Sequence, residues 1–266
     1  MRGKIWWMLV ILAGTSNCFA QSQKQLVVYL PYYKGAMAAE FARTMDFTGI
    51  TQLDVAFVNP PKCDGVCTAK SDMRFGLEKH NPGEIDTIVV AAHAKGTKVL
   101  ASLGGARGDQ LILQFYNTGL SVQLVASLDA YIRQHHLDGV DVDIEEPSLM
   151  GAPFAAFVDQ LVTVLRPQGK LVTAAVAQYI QGAMPDATLA QFDQINVMVY
   201  GSYADSQKAL NFYTMTKKVS RERIVLGIPL FALSTEHKFE HYSDVLAAYP
   251  NAWRVDQSSG GLLDDG

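Results

Sequence analysis

Short aliphatic runs alternate along the chain with longer segments in which apolar residues recur every three or four positions. Strands and helices have these two periods, because successive strand side chains point to opposite faces and a helix turns once in about 3.6 residues. Seven runs are predicted strands: QLVVYL from Gln25, TQLDVAFV from Thr51, TKVLASLGG from Thr97, LDGVDVDIE from Leu137, KLVTAAVAQY from Lys170, DQINVMVY from Asp193 and RIVLGIPLF from Arg223.

The segments between these strands predict helices that bury one apolar face. Three such faces are formed by Ile85, Ile88, Val89 and Ala92, by Val122, Val125 and Ile132, and by Phe154, Phe157, Val158, Leu161 and Leu165. Alternation of strands with helices predicts parallel strands joined by crossover helices. Such a sheet is either a closed barrel of eight strands or an open sheet with helices on both faces.

The polar positions favour the barrel. The segment VVYLPYYKGAMAAEF from Val27 lacks the glycine-rich turn that opens a helix in a dinucleotide-binding sheet. Acidic residues instead reach the end of the fourth strand, where barrel enzymes place their chemistry. We therefore predict an α/β fold of the TIM (β/α)8 type, with seven strands present and the eighth strand and helix missing. Because an open parallel edge is an aggregation hazard, we expect the chain to be a C-terminally incomplete fragment.

The first 20 residues have the layout of a secretory signal peptide. Arg2 and Lys4 precede the apolar run IWWMLVILAG, which is too short to span a bilayer, and Cys18 and Ala20 supply small residues for cleavage. The residues before Cys18 do not match the Leu-small-small-Cys pattern of a lipid anchor. We predict cleavage near Ala20, a secreted or periplasmic location, and one mature domain over residues 21–266.

The charge balance argues against nucleic acid and an anionic membrane surface as partners. Removal of the leader takes two of the 22 Lys and Arg residues and none of the 26 Asp and Glu residues, so the net charge changes from −4 to −6. Cys63 and Cys67 remain, and in an oxidising compartment they could close a small loop as a disulfide. A free pair is the alternative. No second Cys or His pair at ligand spacing lies nearby, so we expect neither metal nor cofactor.

The run LDGVDVDIEEPS places Asp141, Asp143 and Glu145 on one face of the fourth strand. Enclosed carboxyl groups raise one another's pKa through burial and like-charge repulsion, so one of them should hold a proton near neutral pH. A carboxylic acid beside a carboxylate is what acid-catalysed glycosidic cleavage requires. The alternatives are a calcium site, although such sites draw on loops, and a solvated edge strand, although that would not carry an aliphatic second face.

DGVDVDIE, which ends at Glu145, resembles the DxxDxDxE signature of glycoside hydrolase family 18, the chitinases and endo-β-N-acetylglucosaminidases. SLGG, which begins at Ser102, resembles the SxGG motif of that family. The resemblance implies that Glu145 is the general acid and later activates water. It also implies that Asp143 turns the substrate's 2-acetamido group toward the anomeric carbon, and that Asp141 shares charge or a proton with Asp143. Such a mechanism needs no separate enzyme nucleophile and retains the substrate configuration.

NVMVYGSY on the sixth predicted strand resembles the MxYD motif of the family, with Met198 and Tyr200 in place and Gly201 where Asp is usual. The resemblance implies that Tyr200 hydrogen-bonds the acetamido carbonyl and that Gln178 is a second contact to that group. The further candidate substrate-binding residues are Phe57, Tyr29 and Tyr203 as stacking surfaces, together with Ser102, Gly104 and Gly105. Ordinary packing is the alternative for Tyr200, Gln178 and the stacking candidates.

The resemblance implies an exported hydrolase of β-1,4-linked N-acetylglucosamine polymers, chitin or chitooligosaccharides, with a catalytic barrel over residues 21–266. One alternative is an endo-β-N-acetylglucosaminidase that acts on N-glycan cores. Another is a lectin-like barrel that binds chitin without cleaving it. Binders of this family typically lose the acid that matches Glu145, which is present here, whereas Gly201 favours a binder.

Overall fold

The computed structural model describes residues 24–32, 40, 43–77, 83–105, 108–180, 182–234, 239–251, 257–258 and 261–263. The predicted signal peptide and its cleavage site near Ala20 lie outside the described residues. Within the described part of the chain, no helix is both long enough and apolar enough to cross a membrane.

The seven predicted strands are all present, and each is shorter than its predicted run. The described strands are β1 (Val27–Pro31), β2 (Gln52–Ala56), β3 (Val58–Asn59), β4 (Gly76–Leu77), β5 (Lys98–Gly104), β6 (Gly139–Asp143), β7 (Leu171–Ala177), β8 (Gln194–Met198), β9 (Ile224–Gly227), β10 (Phe231–Ser234), β11 (Phe239–His241), β12 (Gln257–Ser258) and β13 (Gly261–Leu263). Strands β1, β2 and β5 to β9 form one parallel sheet in the order of the chain.

This parallel sheet is curled, as shown by side chains of β1 and β2 that hydrogen-bond side chains of β8 across the interior. The Asn196 side-chain amide on β8 donates to the Tyr29 hydroxyl on β1 at 2.8 Å. The Gln194 amide on β8 donates to the Gln52 side chain on β2 at 3.5 Å. A flat sheet would hold these strands apart by several strand spacings of about 4.8 Å. The fold is therefore of the predicted TIM-barrel type.

The chain after β9 forms no eighth parallel strand within the described residues. Strands β10 to β13 form a separate antiparallel sheet in the order β11-β10-β13-β12. The predicted seventh run, which extends to Phe231, therefore joins two elements, β9 and the start of β10. Pro229 lies between them, and its lack of an N–H prevents continuation of the ladder.

Along the chain the helices alternate with the parallel strands, and in the structure they lie beside the sheet. They are α1 (Gly83–His93), α2 (Asp109–Tyr116), α3 (Ser121–Gln134), α4 (Ala152–Leu165), α5 (Asp186–Leu189), α6 (Tyr203–Asn211) and α7 (Tyr242–Ala248), with 3-10 turns at Pro147–Leu149, Arg166–Gln168, Gln178–Ile180 and Arg221–Arg223 and a π-helical turn at Phe212–Thr216. The predicted faces of α1 and α4 are buried, as are Val125 and Ile132 of α3. Val122 is 60% exposed, so its predicted burial is wrong; the buried face of α3 is formed instead by Leu124, Val125, Leu128 and Ile132.

Cys63 and Cys67 form a disulfide in the segment between β3 and β4, with Cα atoms 5.6 Å apart. This separation lies within the usual range for disulfides. The predicted disulfide is confirmed over the alternative of a free pair.

Candidate active site

Strand β6 presents alternate carboxyl groups to the interior, as its sequence predicts. Asp141 is fully buried and Asp143 is 4% exposed, while Val140 and Val142 belong to the apolar core. The strand ends at Asp143, two residues before Glu145, which is half-buried. The three carboxyl groups therefore lead from the interior of the sheet to the carboxyl ends of its strands.

Four neutral donors surround the Asp141 carboxylate. Its Oδ2 accepts hydrogen bonds from the Ser102 and Tyr29 hydroxyls at 3.0 and 3.1 Å. Its Oδ1 accepts from the Thr173 hydroxyl at 2.7 Å and from the Asn196 amide at 3.3 Å. Burial raises the pKa of Asp141, and these hydrogen bonds oppose that rise by stabilising the charged form.

Ser102 and Tyr29, two of the predicted substrate-binding residues, both hydrogen-bond Asp141. Ser102 is fully buried, and its hydroxyl is committed to Asp141. The Tyr29 hydroxyl bridges Asn196 and Asp141, which directs this ring toward the carboxyl groups. Strand alternation predicts which face a side chain occupies but not how deep along that face it lies. We assign both residues to support of Asp141.

Asp143 lacks such support. Its Oδ1 is buried and has no hydrogen-bond partner among the described residues. Burial raises the pKa of Asp143 well above its ordinary value, and the nearby charges of Asp141 and Glu145 raise it further. The buried Asp143 carboxyl group therefore takes a negative charge less readily than an exposed aspartate does.

A further buried carboxyl group, Asp54, was missed by the sequence reasoning. It lies on β2, is fully buried, and accepts hydrogen bonds from the Gln52 amide at 2.9 and 3.0 Å. Burial first, and then the charge of Asp141, raise the pKa of Asp54 well above its ordinary value. The signal was present in the run TQLDVAFV, where Gln52 and Asp54 are two residues apart and share a strand face.

Glu145 is held from two sides. The Tyr179 hydroxyl donates to its Oε2 at 3.2 Å, and burial followed by the Glu145 charge raises the pKa of Tyr179 to about 12. The backbone N–H of Glu145 donates to Asp109 Oδ2 at 3.0 Å. Sequence reasoning missed both partners. Tyr179 is the last residue of the predicted run KLVTAAVAQY, two positions after β7 ends, whereas Asp109 had no recognisable signal.

Close backbone approach explains the two glycines of the SLGG motif. Gly104 has a φ of +91°, and a Cβ built on it would lie 2.2 Å from the Asp143 carbonyl oxygen. A Cβ on Gly105, whose φ is +77°, would lie 2.3 Å from the Phe57 ring. Phe57 is half-buried and follows a cis peptide bond from Ala56. These glycines therefore let the ends of β5 and β6 meet beneath an aromatic ring.

The other predicted substrate-binding residues lie near the carboxyl ends of β7 and β8. Gln178 and Met198 are half-buried. Tyr200 is 50% exposed and Tyr203 is 64% exposed. Tyr179, just after β7, is also exposed, at 67%.

Gly201 lies beside the carboxylate of Asp205, four residues further along the chain. A Cβ built on Gly201 would lie 2.9 Å from Asp205 Oδ2. Asp205 caps α6 through reciprocal hydrogen bonds with Ser202, and it forms a 2.9 Å ion pair with Lys208. The Lys208 hydrogen bond, followed by those of Ser202, lowers the pKa of Asp205 to about 2.

A cavity of about 670 Å³ lies apart from these carboxyl groups, between the β3–β4 hairpin and α3. Asn59, Phe75 and Tyr131 are among its lining residues, and none of the site residues above lines it. Within the described ranges, no group of three His, Cys, Asp or Glu residues could hold a metal ion. We therefore place the candidate site at the carboxyl groups and not at this cavity.

Residues 25–258 match the family model described as Glycosyl hydrolases family 18. A relative named "chitinase-like effector" from Moniliophthora perniciosa is 31% identical over 281 residues, which cover 88% of this chain and 63% of the relative. The chain thus spans less than two thirds of that relative's length.

Solved structures share the fold at low sequence identity. A family 18 chitinase from the chitin utilization locus of Flavobacterium johnsoniae matches with a TM-score of 0.74 and 20% identity, over 89% of this chain and 79% of that chain. A Group II chitinase catalytic domain from Ostrinia furnacalis, solved in complex with penta-N-acetylchitooctaose, matches with a TM-score of 0.63 and 18% identity, over 79% and 65% of the two chains.

Proposed function

This chain belongs to the glycosyl hydrolases family 18, and we propose that it hydrolyses β-1,4-linked N-acetylglucosamine polymers by a retaining, substrate-assisted mechanism. One observation carries the proposal: Glu145 stands at the strand ends directly beyond the buried pair Asp141 and Asp143. The complex of the Ostrinia chitinase with a chitin oligomer supports a substrate of this class.

The first step breaks the glycosidic bond. Glu145 in its acid form gives a proton to the glycosidic oxygen, the bond from that oxygen to the anomeric carbon breaks, and the leaving sugar departs as an alcohol. The carbonyl oxygen of the 2-acetamido group bonds to the anomeric carbon, which gives a cyclic oxazolinium ion. Asp143 accepts a hydrogen bond from the acetamido N–H, and Asp141 shares the proton that Asp143 releases.

The second step consumes water. The Glu145 carboxylate takes a proton from water, whose oxygen bonds to the anomeric carbon while the oxazolinium ring opens. Two displacements at one carbon restore the starting configuration, so the product is the β-anomer. Tyr179 supports Glu145 through both steps, because its hydroxyl can donate to the carboxylate that forms. Tyr200 and Gln178 contact the acetamido group, and Tyr203 and Phe57 contact neighbouring sugars.

The Glu145→Gln variant tests the proposal, because it keeps the shape and removes the proton donor. Release of chitobiose from chitotetraose should fall at least about 100-fold, while binding of chitotetraose measured by calorimetry survives. Glu146→Gln is the matched control, since Glu146 is the adjacent and exposed carboxylate. A Glu145→Gln variant that works at the parent rate would refute the assigned acid.

The substrate provides a second test. Cellotetraose lacks the acetamido group and should not be cleaved, and a thiazoline analogue of the oxazolinium ion should bind more tightly than substrate. Equal cleavage of cellotetraose and chitotetraose would exclude substrate assistance.

Binding of chitin oligomers without cleavage is the second candidate. The name of the Moniliophthora relative and the presence of Gly201 favour it. Parent protein that binds chitotetraose by calorimetry but releases no product over a day would establish this candidate instead.

We also propose that the protein acts outside the cytoplasm. The leader sequence and the Cys63–Cys67 disulfide support this location, because disulfides persist in oxidising compartments.

A further inference from the structure

Glu145 lies beyond the part of β6 that the sheet fixes. The last β6 residue paired with its neighbours is Asp143, opposite Gly104 on one side and Ala175 on the other. The backbone of Glu145 therefore has no strand partner, although the proposed chemistry needs its carboxyl group at one position. Another group must hold this turn.

The Asp109 side chain supplies that hold. Its Oδ2 accepts the backbone N–H groups of both Glu145 and Glu146 at 3.0 Å. One oxygen that bonds two consecutive amides fixes the plane of the peptide between them. Glu146 in turn accepts the N–H of Ser148 at 3.1 Å, which continues the turn.

Asp109 is itself fixed to the ends of β5 and β6. It begins helix α2, and its N–H donates to the Gly105 carbonyl at 3.3 Å. The Gly105 N–H donates to the Asp143 carbonyl at 2.8 Å. A Cβ on Gly108 would lie 1.9 Å from the Gly104 carbonyl oxygen, so this connection closes tightly. The start of α2, the end of β6 and the Glu145 turn therefore form one unit.

The other Asp109 carboxylate oxygen makes no described hydrogen bond. Asp109 is 5% exposed, and its Oδ1 has no hydrogen-bond partner among the described residues. Burial raises the pKa of Asp109 to about 6, and the charges of Glu145 and Glu146 add to that rise. An unpaired oxygen in a buried site is costly. All described hydrogen bonds of this carboxyl group therefore go to the turn that carries Glu145.

We propose that Asp109 is a positioning residue for Glu145. Asp109 fixes the backbone of Glu145, the proposed general acid, while Tyr179 holds the Glu145 carboxyl group. The inference rests on the proposed function. Since Asp109 is 5% exposed and its carboxyl group bonds the turn, we expect its loss to lower the rate of the chemical step and to leave substrate binding nearly intact. A displacement of about 1 Å at a catalytic group can cost about 100-fold in rate.

The test compares three replacements. Asp109→Asn keeps an acceptor oxygen for the two amides, Asp109→Ala removes it, and Asp109→Leu removes it while keeping the branched side-chain shape. With chitotetraose, we expect kcat to fall about 10- to 100-fold in the Ala and Leu variants, with KM within about threefold, and to stay within about fivefold of the parent in the Asn variant. Gln110→Ala, at the exposed neighbour in α2, is the control.

Hydrogen exchange at the Glu145 and Glu146 amides provides a readout that does not depend on activity. Exchange should accelerate in whichever of the Ala and Leu variants folds and should stay slow in the Asn variant. Unchanged exchange, or unchanged kcat in an active parent background, would overturn the positioning role. If the parent protein cleaves no chitotetraose while exchange changes as expected, the proposed function fails and the structural hold by Asp109 stands.

Discussion

Carboxyl groups inside the sheet and carboxyl groups on the surface have opposite surroundings. Asp141 is held by hydroxyls and an amide, Asp54 by an amide, and Asp143 has one oxygen without a described partner. Surface Asp72 instead pairs with the Arg74 guanidinium at 2.8 Å, and that hydrogen bond lowers the pKa of Asp72 to about 2. A cation beside a carboxylate stabilises its charge, whereas burial without a cation favours the protonated form of the carboxyl group.

The largest expected effect comes from Asp143→Asn. The asparagine has the shape of an uncharged aspartic acid but cannot take a negative charge. Hydrolysis of chitotetraose should fall by about 100-fold or more, because the oxazolinium ion loses its stabilising group. Asp72→Asn should keep the parent rate. Initial rates by product chromatography would decide, and equal losses in both variants would contradict the comparison.

Tyr179→Phe should have a smaller effect on the same assay. It removes one hydroxyl that donates to Glu145 and keeps the ring at the strand ends. A lost hydrogen bond to a charged group is worth about 1.5–3 kcal/mol, so we expect kcat to fall about 10- to 100-fold. Tyr249→Phe, at an exposed tyrosine just after α7, is the control. A parent-like kcat in the Tyr179→Phe variant would show that the contact does not support the acid.

The pH dependence of stability should separate Asp54 from Asp72. The pKa of Asp54 is raised in the folded state, so between the unfolded value of about 3.9 and the folded value the folded protein binds more protons, and its stability falls as pH rises. Asp54→Asn removes this pH-dependent loss of stability. The melting temperature of the variant minus that of the parent should therefore increase from pH 5 to pH 8. A constant difference would mean that Asp54 is not protonated when buried.

The smallest effect is expected for Asp72→Asn in the same melting experiment. The Asp72 pKa is lowered, so its contribution to stability is present above the unfolded value and disappears only below about pH 4. Arg74 is 87% exposed, and solvent screens such pairs strongly. We expect almost no change in melting temperature between pH 5 and pH 8. A large shift would show that this pair is structural.

The strand order and the carboxyl face of β6 were predictable, because both follow from periods of two and of three to four residues. Depth within the barrel was not predictable, so the hydrogen bonds of Ser102 and Tyr29 to Asp141 came only from the structure. Asp109 could not be recognised, since its role depends on a contact 36 positions away that only the fold creates. The sequence resemblance predicted Glu145 as the acid, and its hydrogen-bond partners Tyr179 and Asp109 came from the structure.

The closeness of Gly201 and Asp205 should couple substitutions at these two positions. A Cβ at position 201 would lie 2.9 Å from Asp205 Oδ2, so the Asp205 carboxylate of the α6 capping box would have to shift. An aspartate at position 201 would also bring two negative charges together. We therefore expect the effect of Gly201→Asp on stability to depend on the residue at position 205, which is epistasis between the two positions.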